Sequence, residues 1–215
     1  MGPQSVTAYH RSGSLPLLLA IDVQNGFIVP ASAPVVPAVA ALIDAWLAVD
    51  APVILTRYLN HSGSPFQRLL DWHAMTSAPD TDIVTELAHH ARDPRVQVID
   101  KTTYSALTPE TAETITHHRV NDVFLCGIAT DACVLATTLA LFDHGLTPWI
   151  ITDACASNAS RHPPQQVHDA ALLLMSRLLG TRQLIDIDSA RTMLRQILTR
   201  QQIPAPPIAV RPESS

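Results

Sequence analysis

Six short apolar runs alternate along this chain with six longer amphipathic stretches, and that alternation restricts the fold more than any other feature. The runs 15–21, 53–56, 96–99, 123–126, 149–151 and 184–186 have the length and near-continuous apolar character of strands buried on both faces. Between them the spacing predicts helices over 33–49, 82–90, 109–118, 132–144, 163–179 and 189–201. Pro34, Pro109, Pro163 and Pro164 suit first helical turns, and Gly145 and Gly180 suit helix ends. Strands that alternate with helices call for an α/β fold, a parallel sheet covered on both faces. With 215 residues, 47% of them hydrophobic and 15% charged, the chain can bury the core of one such domain but is short for two. The domain is expected over 15–202, after a flexible N-terminal segment at 1–14 and before a Pro-rich, extended tail at 203–215.

Composition excludes several kinds of partner. No apolar run approaches the ~20 residues of a membrane-spanning helix, and the first 14 residues lack the apolar core of a signal peptide. The 14 basic and 19 acidic residues give a net charge of −5 with no basic run, so neither nucleic acid nor an anionic membrane is an expected partner. Cys126, Cys133 and Cys155 form no CxxC pair and read as reduced thiols. A cytoplasmic protein acting on a small molecule is the expectation.

In parallel sheets, functional groups gather beyond the carboxyl ends of the strands. That rule collects Asp22, Gln24, Asn25 and Phe27 after the first strand, and Arg57, Tyr58 and Asn60 after the second. Asp100, Lys101, Tyr104 and Ser105 follow the third; Thr130, Asp131 and Cys133 the fourth; Asp153 and Cys155 the fifth. Gly127 breaks the apolar run at 123–126, and Thr130 and Asp131 are candidate N-caps of the helix that follows. Cys133 is then expected in a first helical turn, where unpaired N–H groups and the helix dipole favour a thiolate. A cysteine nucleophile needs a base for its proton and a cation for the charges that result. Asp22 and Lys101 occupy the matching strand ends. Singly, Asp22 reads as a loop carboxylate, Lys101 as a surface lysine, and Cys126 and Cys155 as small packing residues. Together, one thiol, one carboxylate and one ammonium on one sheet edge point to nucleophilic chemistry.

Three segments carry a more specific signal: Ile21-Asp22-Val23-Gln24-Asn25-Gly26-Phe27, Asp100-Lys101-Thr102-Thr103-Tyr104-Ser105-Ala106, and Gly127-Ile128-Ala129-Thr130-Asp131-Ala132-Cys133-Val134. In this order they resemble the signature blocks of the isochorismatase-like cysteine hydrolases, which include nicotinamidases, N-carbamoylsarcosine amidases, ureidoacrylate hydrolases and streptothricin hydrolases. The resemblance implies a three-layer α/β/α sandwich around a mostly parallel, six-stranded, Rossmann-like sheet. It implies a catalytic triad of Asp22, Lys101 and Cys133, with thioester chemistry on Cys133 and Asp22 as general base and acid. It also implies a cis peptide between Ile128 and Ala129, and an oxyanion hole from the backbone N–H groups of Ala129 and Cys133. By the same resemblance the protein is expected to form a homodimer or homotetramer.

The chain departs from the metal-binding nicotinamidases, which carry Asp-x-His after the second strand. Here that loop reads Arg57-Tyr58-Leu59-Asn60-His61-Ser62-Gly63-Ser64-Pro65-Phe66, with no carboxylate next to a histidine. His61 and His73 read as ordinary loop histidines, and no metal or other cofactor is expected. Phe27, Arg57, Asn60, Phe66, Trp72, Tyr104 and Thr130 are candidate pocket residues. The leading expectation is a metal-independent amidohydrolase that cleaves a C–N bond of a small amide, ureide or cyclic amide. One alternative is a vinyl-ether hydrolase with Asp22 as general acid, as in isochorismatases proper; Cys133 stands against it. Another is a catalytically silent oligomeric binding subunit, which has no need to keep the triad.

Overall fold

The computed structural model describes residues 14–201; the expected N-terminal segment, apart from Ser14, and the Pro-rich tail lie outside the described residues. Strands β1 (Leu17–Ile21), β2 (Val53–Tyr58), β3 (Val96–Lys101), β4 (Asp122–Ile128), β5 (Thr147–Ala156) and β6 (Leu184–Ile185) form one sheet in the order β3-β2-β1-β4-β5-β6. Every pairing is parallel, where the resemblance implied a mostly parallel sheet. The order reverses direction between β1 and β4. Doubly wound sheets open their ligand crevice at such a switch point.

Alternating side chains of the central strands feed two apolar layers. Leu18 and Ala20 of β1, with Phe124 and Cys126 of β4, pack against α1 (Val35–Leu47) and α6 (Ile187–Gln201). Leu17, Leu19 and Ile21, with Val123 and Leu125, pack on the other face against α3 (Pro109–His117), α4 (Leu135–Asp143) and α5 (Pro164–Leu179). Cys126 is fully buried in the first layer, and Cys133 and Cys155 are largely buried in the second. Trp46 anchors α1 through an edge contact with Phe124, ring centroids 5.1 Å apart, and an Nε1–H bond to the Pro16 carbonyl.

Two expected elements differ. The helix expected over 82–90 is a pair of 3₁₀ turns, Thr85–Leu87 and His90–Arg92. Its backbone groups are engaged elsewhere: the Asp82 carbonyl accepts from the Asn25 N–H, the Val84 N–H donates to the Val23 carbonyl, and Ile83 bridges Gln24. The helix α2 (Pro65–Leu70) falls where only a loop was expected. Its start was written in the sequence: Ser64 caps the Gln67 N–H, and Pro65 occupies the first turn.

Gly127 lies directly beside Ile21 in the β1–β4 pairing, with φ +116. A Cβ there would run into the Ile21 carbonyl and amide, immovable backbone of the central strand. Gly127→Ala is therefore expected to destabilise the protein by at least about 3 kcal/mol. A urea midpoint close to that of the unaltered chain would contradict this packing.

Candidate active site

Asp22 ends β1 with φ +51, a left-handed conformation that Asp tolerates better than most residues. Its carboxylate is fully buried between two partners. Thr56 of β2 donates its hydroxyl to Oδ1 at 2.7 Å and accepts the Asp22 N–H at 3.2 Å. Lys101, the last residue of β3, brings Nζ to 2.6 Å from Oδ2, with both side chains closed to solvent. The same ammonium donates to the Thr103 and Tyr104 carbonyls at 2.9 and 3.2 Å, and to Cys133 Sγ at 3.4 Å. Burial opposes the charge on Lys101, but Asp22 and Cys133 together outweigh it and hold the lysine's pKa above its ordinary value. One ammonium therefore joins the ends of β1, β3 and the β4 turn.

Cys133 does not sit in the first turn of an α-helix. A π-helical turn, Thr130–Val134, intervenes between β4 and α4, and its N-terminal residue is Ala129 with no side-chain cap. The Thr130 hydroxyl is turned away from capping and pairs with His168 Nδ1 of α5 at 2.8 Å. The expectation of a resting thiolate is also corrected. Burial first, and then the neighbouring Asp22 carboxylate, push the Cys133 thiol well above its ordinary pKa, with Lys101 opposing. Raised in this direction, the sulfur rests as a thiol beside the Asp22 carboxylate. Thr137 closes the turn from below, donating to the Cys133 carbonyl at 2.6 Å and accepting the Ala106 N–H at 2.9 Å. The Ile128–Ala129 peptide is cis, and the Ala129 carbonyl accepts the N–H groups of Ala132 and Val134.

A cavity of about 540 Å³ opens over Cys133 at the switch point. Phe27, Phe66, Trp72 and Tyr104 line it. Arg57, Asn60 and Thr130 do not. Arg57 makes a bidentate pair with Asp100 at 2.7 and 2.8 Å, directly across the β2–β3 register and away from the cavity. Asn60 is buried and holds its own loop together: it donates to the Trp72 and Ala74 carbonyls and accepts from the His61 N–H and the Ser64 hydroxyl. Thr130 is spent on His168. Cys155 lies in the core with its thiol 3.8 Å from the Leu125 carbonyl, its pKa pushed up to about 12 by burial.

Other residues of the site had no role in the sequence reading, although Gln24 and Tyr58 stood among its strand-end groups. Thr56 was visible as a hydroxyl at the end of the apolar run in β2, a polar group that burial obliges to find a partner. Gln24 locks the site floor by accepting the Tyr58 N–H and donating to the Tyr58 and Thr81 carbonyls. Tyr58 itself lines the cavity, and its enclosed hydroxyl has no hydrogen-bond partner among the described residues. Asn158 and Ser160, from the loop after β5, complete the wall. Lys101 carried an unused signal as well: it is the only lysine in the chain, every other strong base being arginine. A compact ammonium suits a site where three groups converge on one point better than a planar guanidinium.

The loop after β2 does not offer the donor set of a metal. Asn60 is saturated within the loop, His61 Nδ1 contacts the Ser62 carbonyl at 3.0 Å, and His73 pairs with Asp71 at the surface. Among the described residues, the side chains grouped tightly enough to hold a metal ion are Asp44, His89 and His90, against the α1 layer. A larger cavity, about 760 Å³, lies by the amino ends of β4 and β5, remote from Asp22, Lys101 and Cys133.

His168 gives the nucleophile turn a pH-dependent support. Burial lowers its pKa below 6.5, so the unfolded chain takes up this proton first as pH falls. Stability from this group is intact above pH 6.5 and is lost as pH falls through the lower folded-state value. His168→Gln is expected to flatten the decline in melting temperature between pH 7 and 5. An unchanged slope would remove His168 from this role.

Fold and cluster together define a class, a doubly wound α/β protein with a thiol, a carboxylate and an ammonium buried at its switch point. The chain belongs to the isochorismatase family, within the isochorismatase-like hydrolase superfamily: residues 16–187 match the isochorismatase domain. It is 27% identical to Nicotinamidase 3 of Arabidopsis thaliana over 85% of this chain and 90% of that one. Its fold is shared by a nicotinamidase/pyrazinamidase of Bacillus subtilis at a TM-score of 0.69 and 21% identity, covering 80% of this chain and 100% of that one. An N-carbamoylsarcosine amidase of Thermoplasma acidophilum also has a TM-score of 0.69, at 20% identity over 81% of this chain and 97% of its own. Among the described residues, no helix is long and apolar enough to cross a membrane.

Proposed function

We propose that the protein is a metal-independent cysteine amidohydrolase that cleaves a C–N bond of a small amide, ureide or cyclic amide. The observation that carries this reading is the single buried ammonium of Lys101, 2.6 Å from Asp22 and 3.4 Å from Cys133, beneath a cavity that reaches the sulfur. Because the resting thiol is protonated, attack and deprotonation belong to one event. Cys133 Sγ adds to the carbonyl carbon as its proton passes to Asp22. The backbone N–H groups of Ala129 and Cys133 receive the oxyanion, the kind of fixed donor worth about 3–4 kcal/mol in other acyl-transfer sites. Asp22 returns the proton to the departing nitrogen, the C–N bond breaks, and a thioester remains. Water deprotonated by Asp22 adds to it, and Cys133 leaves with a proton restored. Lys101 keeps its charge throughout, while Thr56 holds the carboxylate in the orientation that both transfers need. The nicotinamidase and N-carbamoylsarcosine amidase relatives support C–N cleavage as the reaction class. The buried, unpaired cysteines suit a reducing cytoplasm, where we take the protein to act as a homodimer or homotetramer.

The decisive experiment is ammonia release from a panel of amides and ureides, with intact mass of the quenched protein. A mass increase on Cys133 equal to the acyl half, and a rate unchanged by a chelator, are the expected results. Ammonia release without an acyl-protein under any quench, together with loss on chelation and recovery with zinc, would replace this mechanism.

A further inference from the structure

At the edge of the sheet opposite Cys133, three side chains of metal-ligating type meet. Asp44 lies near the end of α1, the helix that returns the chain to the amino edge where β2 begins. It is the only charged residue of that helix, set between Ile43 and Ala45. His89 and His90 belong to the crossover from β2 to β3, a few residues before β3 starts at Val96. One ligand atom from each of the three lies within 4.8 Å of the other two.

His90 is what makes this group more than a surface cluster. Its ring is buried, 3% exposed, and Nε2 sits 2.8 Å from Asp44 Oδ1. Its other nitrogen, Nδ1, is closed to solvent and has no hydrogen-bond partner among the described residues. A histidine ring carries two polar nitrogens, and leaving one of them buried and unserved is costly. No choice of tautomer repairs this, because Asp44 serves one nitrogen only. The His89 ring lies 3.8 Å from the His90 ring, centroid to centroid, with planes at 38°, and does not serve it either. A divalent cation would use all three groups at once, taking a lone pair from each ring and a carboxylate oxygen.

The donors select the ion. Two imidazoles and one carboxylate suit zinc and the late first-row metals near it, whereas calcium and magnesium favour oxygen alone. Tetrahedral ligands at zinc distances stand about 3.3 Å from one another. Asp44 and His89 are exposed and can rotate to that spacing around His90, which burial holds fixed.

We propose that Asp44, His89 and His90 form a structural site for a zinc-type divalent cation, with water in the fourth position, that ties α1 to the crossover between β2 and β3. This crossover carries 3₁₀ turns around His90 in place of a helix, so it depends on its neighbours for support. The ion stands at the amino edge of the sheet and Cys133 at the carboxyl edge, which separates the site from the chemistry of the thiol.

The test uses zinc chloride and the full-length protein stripped with EDTA. The Cys133 thiol is itself a zinc ligand, so binding is measured by calorimetry on Cys133→Ala. One equivalent is expected to bind with a Kd below about 10 µM, and magnesium is expected not to compete. At a hundredfold excess of zinc over that Kd, the melting temperature should rise by at least about 5 °C. In the same background, His89→Ala and Asp44→Asn alter exposed side chains and are each expected to weaken zinc at least about tenfold and to remove most of the rise. His61→Ala, in the loop after β2, is expected to change neither quantity. Weaker binding, equal binding of magnesium, or a rise in melting temperature that survives His89→Ala would overturn the site. Neither readout needs turnover, so the outcome is independent of the hydrolase reading.

Discussion

Cys133→Ala is expected to leave a folded protein that binds amides and does not hydrolyse them, with kcat lowered on the order of 10⁶-fold, as for deletion of the nucleophile in another hydrolase triad. The large effect on rate follows from the absence, among the described residues, of a second thiol lining the cavity: Cys126 is on the opposite layer, and Cys155 lies in the core. The small effect on fold follows from the substitution itself. It removes one sulfur atom from a residue that retains 7% exposure, and it leaves the Asp22–Lys101 pair in place. A change in stability below about 1.5 kcal/mol is expected. Circular dichroism and urea unfolding check the fold, and ammonia release checks the rate. Turnover within tenfold of the unaltered protein would end the thioester mechanism.

The second large effect is on stability. Lys101→Met removes the cation and leaves the Asp22 carboxylate sealed in the core with one remaining hydroxyl donor, Thr56. An uncompensated buried charge costs about 3–5 kcal/mol, so the urea midpoint should fall steeply. Adding Asp22→Asn to the same protein is expected to return most of that loss, because no charge is then stranded, although the double variant stays inactive. Such non-additivity is the signature of a buried pair. If the two losses simply add, the ion pair is not what holds these strand ends together.

The fold was legible because its signal is local and repeated. Each strand announced itself as an apolar run, and each crossover helix except the one between β2 and β3 as an amphipathic stretch. The helix expected over 82–90 failed for a reason no local pattern contains. Its backbone groups are taken by Val23, Gln24 and Asn25, residues far away in the chain that the fold brings alongside. Pocket residues failed in the same manner. Arg57 and Asn60 stand at a strand end like Tyr58, but strand alternation and local hydrogen bonding turn them to Asp100 and into the loop. Tyr58 faces the cavity instead.

By itself, then, the sequence determined the parallel α/β architecture and the edge on which Asp22, Lys101 and Cys133 would gather, since period and strand-end position are properties of the chain alone. Tertiary structure decided the rest: that one ammonium touches both other groups, that the thiol is protonated at rest, and that the cavity is aromatic and uncharged. Those are matters of distance and burial between segments as far apart in the chain as Asp22 and Cys133. Coulombic attraction and desolvation depend on where the fold sets such groups, and spacing along the chain does not encode it.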